Sequence, residues 1–290
     1  MSQEIYQMIT DQILTKLDQG VVPWRKPWNA ESGSPKNLIS KKPYRGINPL
    51  MLSCSGFASP WWLSFRQIKQ LGGKVLKGQK GTPVVFWKFL DKEIEKENGE
   101  AEIRKIPMLR YYLVWNLEQT EGINPKKIPT AETREDMDPI EAAEAIVAGM
   151  PNAPEILFMG TQACYSPGQD QVWIPKAKYF HTQEEYYSAI FHELTHATGH
   201  ENRLNRPGIT ERIQFGSENY SKEELVAEMG SAMLCGIAGI ENSTIDNSAA
   251  YIDGWRKKIS EDPKLVILAA AQAQKAADHM LGREFQASSE

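Results

Sequence analysis

The chain has 290 residues, 41% of them hydrophobic and 24% charged. That is ordinary globular composition, which excludes a wholly disordered, collagen-like or membrane-embedded chain, and the length predicts two domains. The net charge of −4 averages two unlike parts, because residues 1–90 hold 13 Lys and Arg against 4 Asp and Glu while residues 91–290 hold 20 against 33.

Residues 3–19 read as an amphipathic helix, with Ile5, Ile9, Ile13 and Leu17 at i+4 spacing and Gly20 as the stop. A segment rich in Pro, Trp and basic residues follows, Val22 to Trp28, and then a loop over 29–46. Short helices are predicted over 47–54 and 60–71, the second ended by Gly72-Gly73. Residues 74–77 and 82–90 read as strands on either side of the basic turn Lys77-Gly78-Gln79-Lys80-Gly81. Asn98-Gly99 marks a hairpin tip before a strand over 108–117. Residues 121–138, with Pro125, Pro129 and mixed charges, read as a connection. The second half predicts a helix over 139–149, strands at 155–159, 163–165 and 171–174, and helices near 182–199, 221–237 and 262–281. Helices and strands mix without strict βαβ alternation, so both halves are expected to be α+β. The expected division is 1–122, a linker over 123–138, and 139–290.

The strongest chemical signal is His192-Glu193-Leu194-Thr195-His196. Residues four apart share a helix face, so both imidazoles can address one ion, and Zn²⁺ suits such ligands, with Mn²⁺ or another divalent ion as the alternative. Glu193 adjoins the first histidine and is placed to act as general base. Glu224-Leu225-Val226-Ala227-Glu228 follows 28 residues later. It resembles the second signature helix of gluzincin metallopeptidases, with Glu in place of a final Asp. By that resemblance Glu224 is the third ligand and Glu228 orients a ligand histidine, with the two roles exchangeable. His200 follows His196 by four residues but lies beyond Gly199, where the helix is expected to end, so a substrate-side or capping role fits it better. Tyr186 and Tyr187 are candidates for transition-state hydrogen bonds, with core packing the stronger reading. The strand Asp170 to Ile174 is the expected sheet edge for an extended peptide substrate.

Five of the eight tryptophans lie in residues 1–90, interleaved with cations. Cations neutralise phosphates and aromatic faces stack on unpaired bases, so the front fits single-stranded nucleic acid. Trp24, Arg25, Lys41, Arg45, Lys69, Lys74, Lys77 and Lys80 are the candidate contacts. The three cysteines, Cys54, Cys164 and Cys235, are scattered and form no CxxC pair, as in a reducing compartment. With no signal peptide at the start and no apolar run long enough to span a bilayer, a cytoplasmic protein with no membrane partner is expected.

Both halves resemble the ArdC antirestriction family of conjugative plasmids. In the front the resemblance rests on Pro23-Trp24-Arg25-Lys26-Pro27-Trp28, Tyr44-Arg45-Gly46-Ile47-Asn48, Ile68 to Gly73, Lys77 to Val84 and Val114 to Thr120. In the back it rests on His192 to His200, Arg203-Leu204-Asn205-Arg206 and Glu223 to Glu228. The resemblance implies an N-terminal single-stranded DNA-binding domain and a C-terminal zincin-like metallopeptidase domain. It implies protection of incoming plasmid DNA from host restriction during conjugation. The front is also similar to part of plasmid TraC primases, though no primase motif is present. Two alternatives accompany this expectation. One is a protease guided by single-stranded DNA to proteins bound there, and the other is a binding protein whose metal site only stabilises the fold.

Overall fold

The computed structural model describes residues 2–24, 34–95, 101–129, 138–210, 218–240 and 249–283. The chain opens with helix α1 (Ser2–Asp18), whose Ile9, Ile13 and Leu17 are at most 1% exposed. The i+4 stripe read from the sequence is therefore a buried seam. α1 does not pack only on its own half. It lies against helices α8 (Ala249–Glu261) and α9 (Leu265–Met280), and Thr10 Oγ1 donates to the Pro263 carbonyl at 2.8 Å. Its apolar face and that of the back half's helices belong to one hydrophobic cluster.

The front builds a four-stranded sheet, β1 (Lys36–Asn37), β2 (Trp61–Ser64), β5 (Ala101–Asn116) and β4 (Thr82–Glu95), in that spatial order. β1 and β2 are parallel; the other pairs are antiparallel. Helix α2 (Asn48–Ser53) sits beside β4, and the Asn48 side chain caps the outer edge of that strand. Its Nδ2 donates to Val85 O and its Oδ1 accepts from Val85 N, both at 2.8 Å, so the side-chain amide stands in for a neighbouring strand. β3 (Lys74–Val75) pairs with β6 (Thr120–Glu121) in a small second ladder.

Residues 60–71 do not form the single helix expected. Trp61-Trp62-Leu63 is an aromatic and apolar run that enters the sheet as β2, and helix α3 (Phe65–Gln70) starts only after it. Ser64 is the boundary: it accepts from Gln67 N while Gln67 Oε1 accepts from Ser64 N, a reciprocal capping box. The Asn98-Gly99 tip lies outside the described residues, but β4 and β5 pair without interruption from Thr82↔Val114 to Glu95↔Ala101.

In the back half, α4 (Pro139–Ala148) precedes a three-stranded sheet of β7 (Glu155–Phe158), β8 (Cys164–Ser166) and β9 (Gln171–Ile174). The order is β7-β9-β8. β9, the expected substrate edge, is thus the middle strand, parallel to β7 and antiparallel to β8. Its alternate residues Val172 and Ile174 are fully buried under the helices, which is why its pattern read as a strand but not as an interior one. β8 is an outer strand of this sheet. Helix α5 (Gln183–Ala197) lies over the sheet, followed by a short turn, α6 (Pro207–Thr210), and α7 (Glu218–Ala238), which packs on α5 and α9. α8 went unread in the sequence. Among the described residues no helix is long and apolar enough to cross a membrane.

Candidate metal centre

Helix α5 carries the histidine pair. Thr182 caps it, accepting from Glu185 N at 3.1 Å, while the Glu185 carboxylate reaches back to His181 N at 2.9 Å. Phe191 and Leu194 anchor its inner face at 0% exposure, which turns His192 and His196 together toward α7. α7 can come close because Gly230 faces Thr195: a Cβ there would lie 2.6 Å from Thr195 Cγ2. Ser231 Oγ, next in sequence, donates to Ser188 O at 2.9 Å and locks the crossing.

At this crossing His192, His196 and Glu224 converge. The two Nε2 atoms are 3.2 Å apart, and Glu224 offers Oε2 at 3.6 Å from His192 and Oε1 at 3.6 Å from His196. Donors held about 2.0–2.1 Å from a tetrahedral ion lie about 3.3–3.4 Å from one another, so the measured separations bracket that spacing. Burial alone would lower the His192 pKa. Instead it is raised, because the carboxylates of Glu224, Glu193 and Glu228 outweigh burial. The pocket between the helices is a place of negative potential that suits a cation. Glu193 is itself buried, and together with burial it raises the thiol pKa of Cys164 on β8.

Glu228 is not part of the donor group. It accepts from Trp24 Nε1 at 2.8 Å and from the Tyr251 hydroxyl, and burial raises its pKa against the lowering effect of those bonds. Two residues with no role in the sequence reading complete the centre. Glu223 Oε1 lies 3.5 Å from His196 Nδ1, on the side of the ring away from the donor atoms. Arg206, 4% exposed, holds that carboxylate through Nη2 at 2.5 Å and Nε at 3.1 Å, and ties it to α5 through Thr198 Oγ1 and Thr195 O. A carboxylate behind a ligand histidine fixes ring orientation and tautomer. Glu223 was visible only as one more acid beside Glu224, and nothing in spacing links it to Arg206.

Arg203 forms a second anchor at the end of α5. It donates to Ala197 O at 2.6 Å, to Asn152 O at 2.9 Å and to Asp170, which also accepts from Tyr165 at 2.8 Å. His200 Nδ1 lies 4.0 Å from Asp170, so His200 belongs to this cluster rather than to the donor group. Tyr187 donates to Glu144 at 2.8 Å and packs edge-on against Tyr186, a core arrangement.

The expected DNA contacts fall into distinct groups. Trp24 is a correction: it is 0% exposed, stacked edge-on against Trp255 at 6.1 Å and bonded to Glu228, so neither ring face is open to a base. Arg25 lies outside the described residues. Arg45 pairs with the buried Asp278 of α9 and tethers the two halves. Lys74 pairs with Glu121 at 3.1 Å. Lys41 lies 4.9 Å over the Trp61 ring and Lys69 5.2 Å over the Phe65 ring. Lys77 and Lys80 are exposed on their turn.

Residues 3–115 match the N-terminal domain of anti-restriction factor ArdC, and residues 141–272 match a zincin-like metallopeptidase. The crystal structure of metal-free antirestriction protein ArdC from plasmid R388 superposes with a TM-score of 0.73 at 33% identity, over 97% of this chain and 99% of that one. This chain belongs to the ArdC antirestriction family. The Mn(II)-bound structure of the R388 protein superposes similarly, with a TM-score of 0.74 at 35% identity over 96% of this chain and 97% of that one. The uncharacterized protein y4eC of Sinorhizobium fredii is 33% identical over 96% of this chain and 91% of its own length. Two DNA primase TraC proteins of Escherichia coli are 32% and 31% identical. This chain spans only 27% and 20% of their lengths. The ArdC architecture of two α+β domains holds here, and its zincin-like domain implies a divalent metal. The two imidazoles and one carboxylate at the α5–α7 crossing fit such an ion.

Proposed function

We propose that this chain is a plasmid antirestriction protein that binds single-stranded DNA through its basic front and hydrolyses peptide bonds at the α5–α7 crossing. In this role it protects incoming DNA from restriction during conjugation. The whole-chain match to ArdC, together with the convergence of His192, His196 and Glu224, carries this reading. Residues 1–122 serve as the DNA-binding domain and 139–290 as the peptidase domain.

His192, His196 and Glu224 hold the ion. A bound divalent ion supplies Lewis acidity, which acidifies water and polarises a carbonyl. Glu193 accepts the proton of the attacking water and returns it to the leaving amine nitrogen. Glu223 and Arg206 hold His196 in its ligating tautomer. β8, the outer strand on the Cys164 side, offers the edge along which an extended peptide pairs.

Zn²⁺ is the preferred ion, since an imidazole-rich donor set follows the usual affinity order in which Zn²⁺ exceeds Mn²⁺. In calorimetric titration of the metal-stripped protein, Zn²⁺ is expected to bind more tightly than Mn²⁺ and to raise Tm further, and His196→Ala is expected to abolish both effects. Tighter Mn²⁺ binding would contradict the assignment.

The DNA reading is tested by anisotropy with a single-stranded oligonucleotide and its duplex across a salt series. Tighter binding to the single strand is expected, with log K falling linearly in log salt. Lys77→Ala and Lys80→Ala are each expected to flatten the slope by about 0.7. Equal affinity for both forms, or none for either, refutes the reading.

One observation favours a DNA-guided protease as the mechanism behind protection. Trp24, from the basic front, bonds directly to Glu228 one turn from Glu224, so the two halves share the wall of the metal centre.

A further inference from the structure

β5 presents Tyr111, Leu113 and Trp115 on one face of the front sheet, since alternate strand residues share a face. Tyr111 and Leu113 are 47% and 41% exposed, large values for side chains in a sheet. Phe65, at the start of α3, is 49% exposed and lies with its ring 5.9 Å from that of Trp115. Trp115 is half-buried against the cluster of Leu63, Ile68 and Ile123, so the exposed side chains of this row are Phe65, Leu113 and Tyr111.

Cations border this row. Lys69 stands 5.2 Å over the Phe65 ring. The Lys77–Gly81 turn is docked against the row's centre: a Cβ at Gly81 would lie 2.9 Å from the Trp115 ring and 3.0 Å from Leu113 Cβ. Only a glycine lets the turn sit this close, and that closeness brings the exposed Lys80 to the margin of the aromatic surface. Among the described residues Lys69, Lys77 and Lys80 have no carboxylate partner, whereas Lys74 nearby is paired with Glu121.

We infer that exposed Phe65, Leu113 and Tyr111 form a base-stacking platform for single-stranded DNA, backed by half-buried Trp115, with Lys69 and Lys80 as its phosphate contacts. This rests on the single-stranded DNA reading above and gives it a place that the tryptophan-rich segment does not supply. Exposed rings accept unpaired bases of any sequence, which a duplex keeps stacked inside. Unpartnered cations at the margin match a polyanion and would not be needed to cover an apolar protein segment. Successive platform positions along β5 lie about 6.6–6.8 Å apart, leaving room for a base between side chains.

The test uses the full chain and a 5′-labelled oligothymidine in fluorescence anisotropy. Tyr111→Ala and Phe65→Ala are each expected to weaken binding about 5- to 150-fold while leaving the salt slope unchanged, because stacking rather than phosphate contact is lost. Tyr111→Phe is expected to keep wild-type affinity. If the wild type binds oligothymidine and both alanine variants bind equally well, the platform is overturned and the DNA reading stands. If the wild type shows no preference for the single strand, both fall. Should an alanine variant fail to fold, photocrosslinking of a bromodeoxyuridine oligonucleotide to the wild type decides. Adducts on Phe65 or Tyr111 support the platform, and adducts confined to other residues overturn it.

Discussion

Replacing Arg206 by methionine is expected to lower stability by about 3–5 kcal/mol, because it strands the buried Glu223 carboxylate without its counter-charge. At roughly 2–4 °C per kcal/mol for a chain of this size, Tm should fall by about 6–20 °C. The guanidinium makes four hydrogen bonds of 3.1 Å or less, to Glu223 twice, Thr198 and Thr195, so the loop after α5 and both helices lose their common tie at once. The double variant Arg206→Met/Glu223→Leu removes the stranded charge and should recover much of the loss. It should not recover zinc affinity. His196 Nδ1 then has no carboxylate behind it, and the expected weakening is about 10- to 100-fold. Thermal unfolding and zinc titration on both variants separate the two effects. A single variant melting within a degree or two of wild type would show that Arg206 is not the tie its geometry describes.

The contrast between Arg206 and His192 shows what was legible in the sequence. His192, Glu193 and His196 are a local pattern: helix periodicity alone puts the imidazoles on one face, and a capping threonine and apolar anchors make the helix credible. Glu224 was legible by resemblance. Glu223 and Arg206 were not, because their meeting depends on how the 198–206 turn folds back across α7, and no periodicity encodes that. Trp24 failed for a related reason. Its Pro-Trp-basic setting matches a stacking residue, yet its environment is set by Tyr251 and Trp255 more than 220 residues away, in a helix whose pattern went unread. The β9 error has the same root. Alternation identifies a strand, while its place in the sheet depends on partners distant in sequence. Only 82–90 of β4 and 108–117 of β5 were read as strands, where aromatic and β-branched residues dominate; the charged stretches toward the hairpin tip hid the rest of their pairing. Which of their faces would stay open was visible only once α2, α3 and the Lys77–Gly81 turn were in place.

Glu193→Gln is expected to reduce peptide hydrolysis by about 10²- to 10⁴-fold, the range lost when a positioned general base is removed. The substitution keeps shape and volume and leaves His192, His196 and Glu224 untouched, so zinc affinity and Tm should match wild type. It also lies far in sequence from the front sheet, and oligonucleotide affinity should be unchanged. Cleavage is best measured on a protein bound to single-stranded DNA, because the shared Trp24–Glu228 contact predicts that DNA and peptide chemistry are used together. Hydrolysis by Glu193→Gln at the wild-type rate would remove Glu193 from the mechanism. The same pair of proteins, compared in conjugation into restricting and non-restricting recipients, then connects chemistry to physiology. Loss of protection by a folded, zinc-bound and DNA-binding Glu193→Gln chain leaves proton transfer as the sole missing function, and restriction is then opposed by proteolysis. Undiminished protection makes the front sheet sufficient, with the α5–α7 crossing serving through its ion to hold together two halves that share one core.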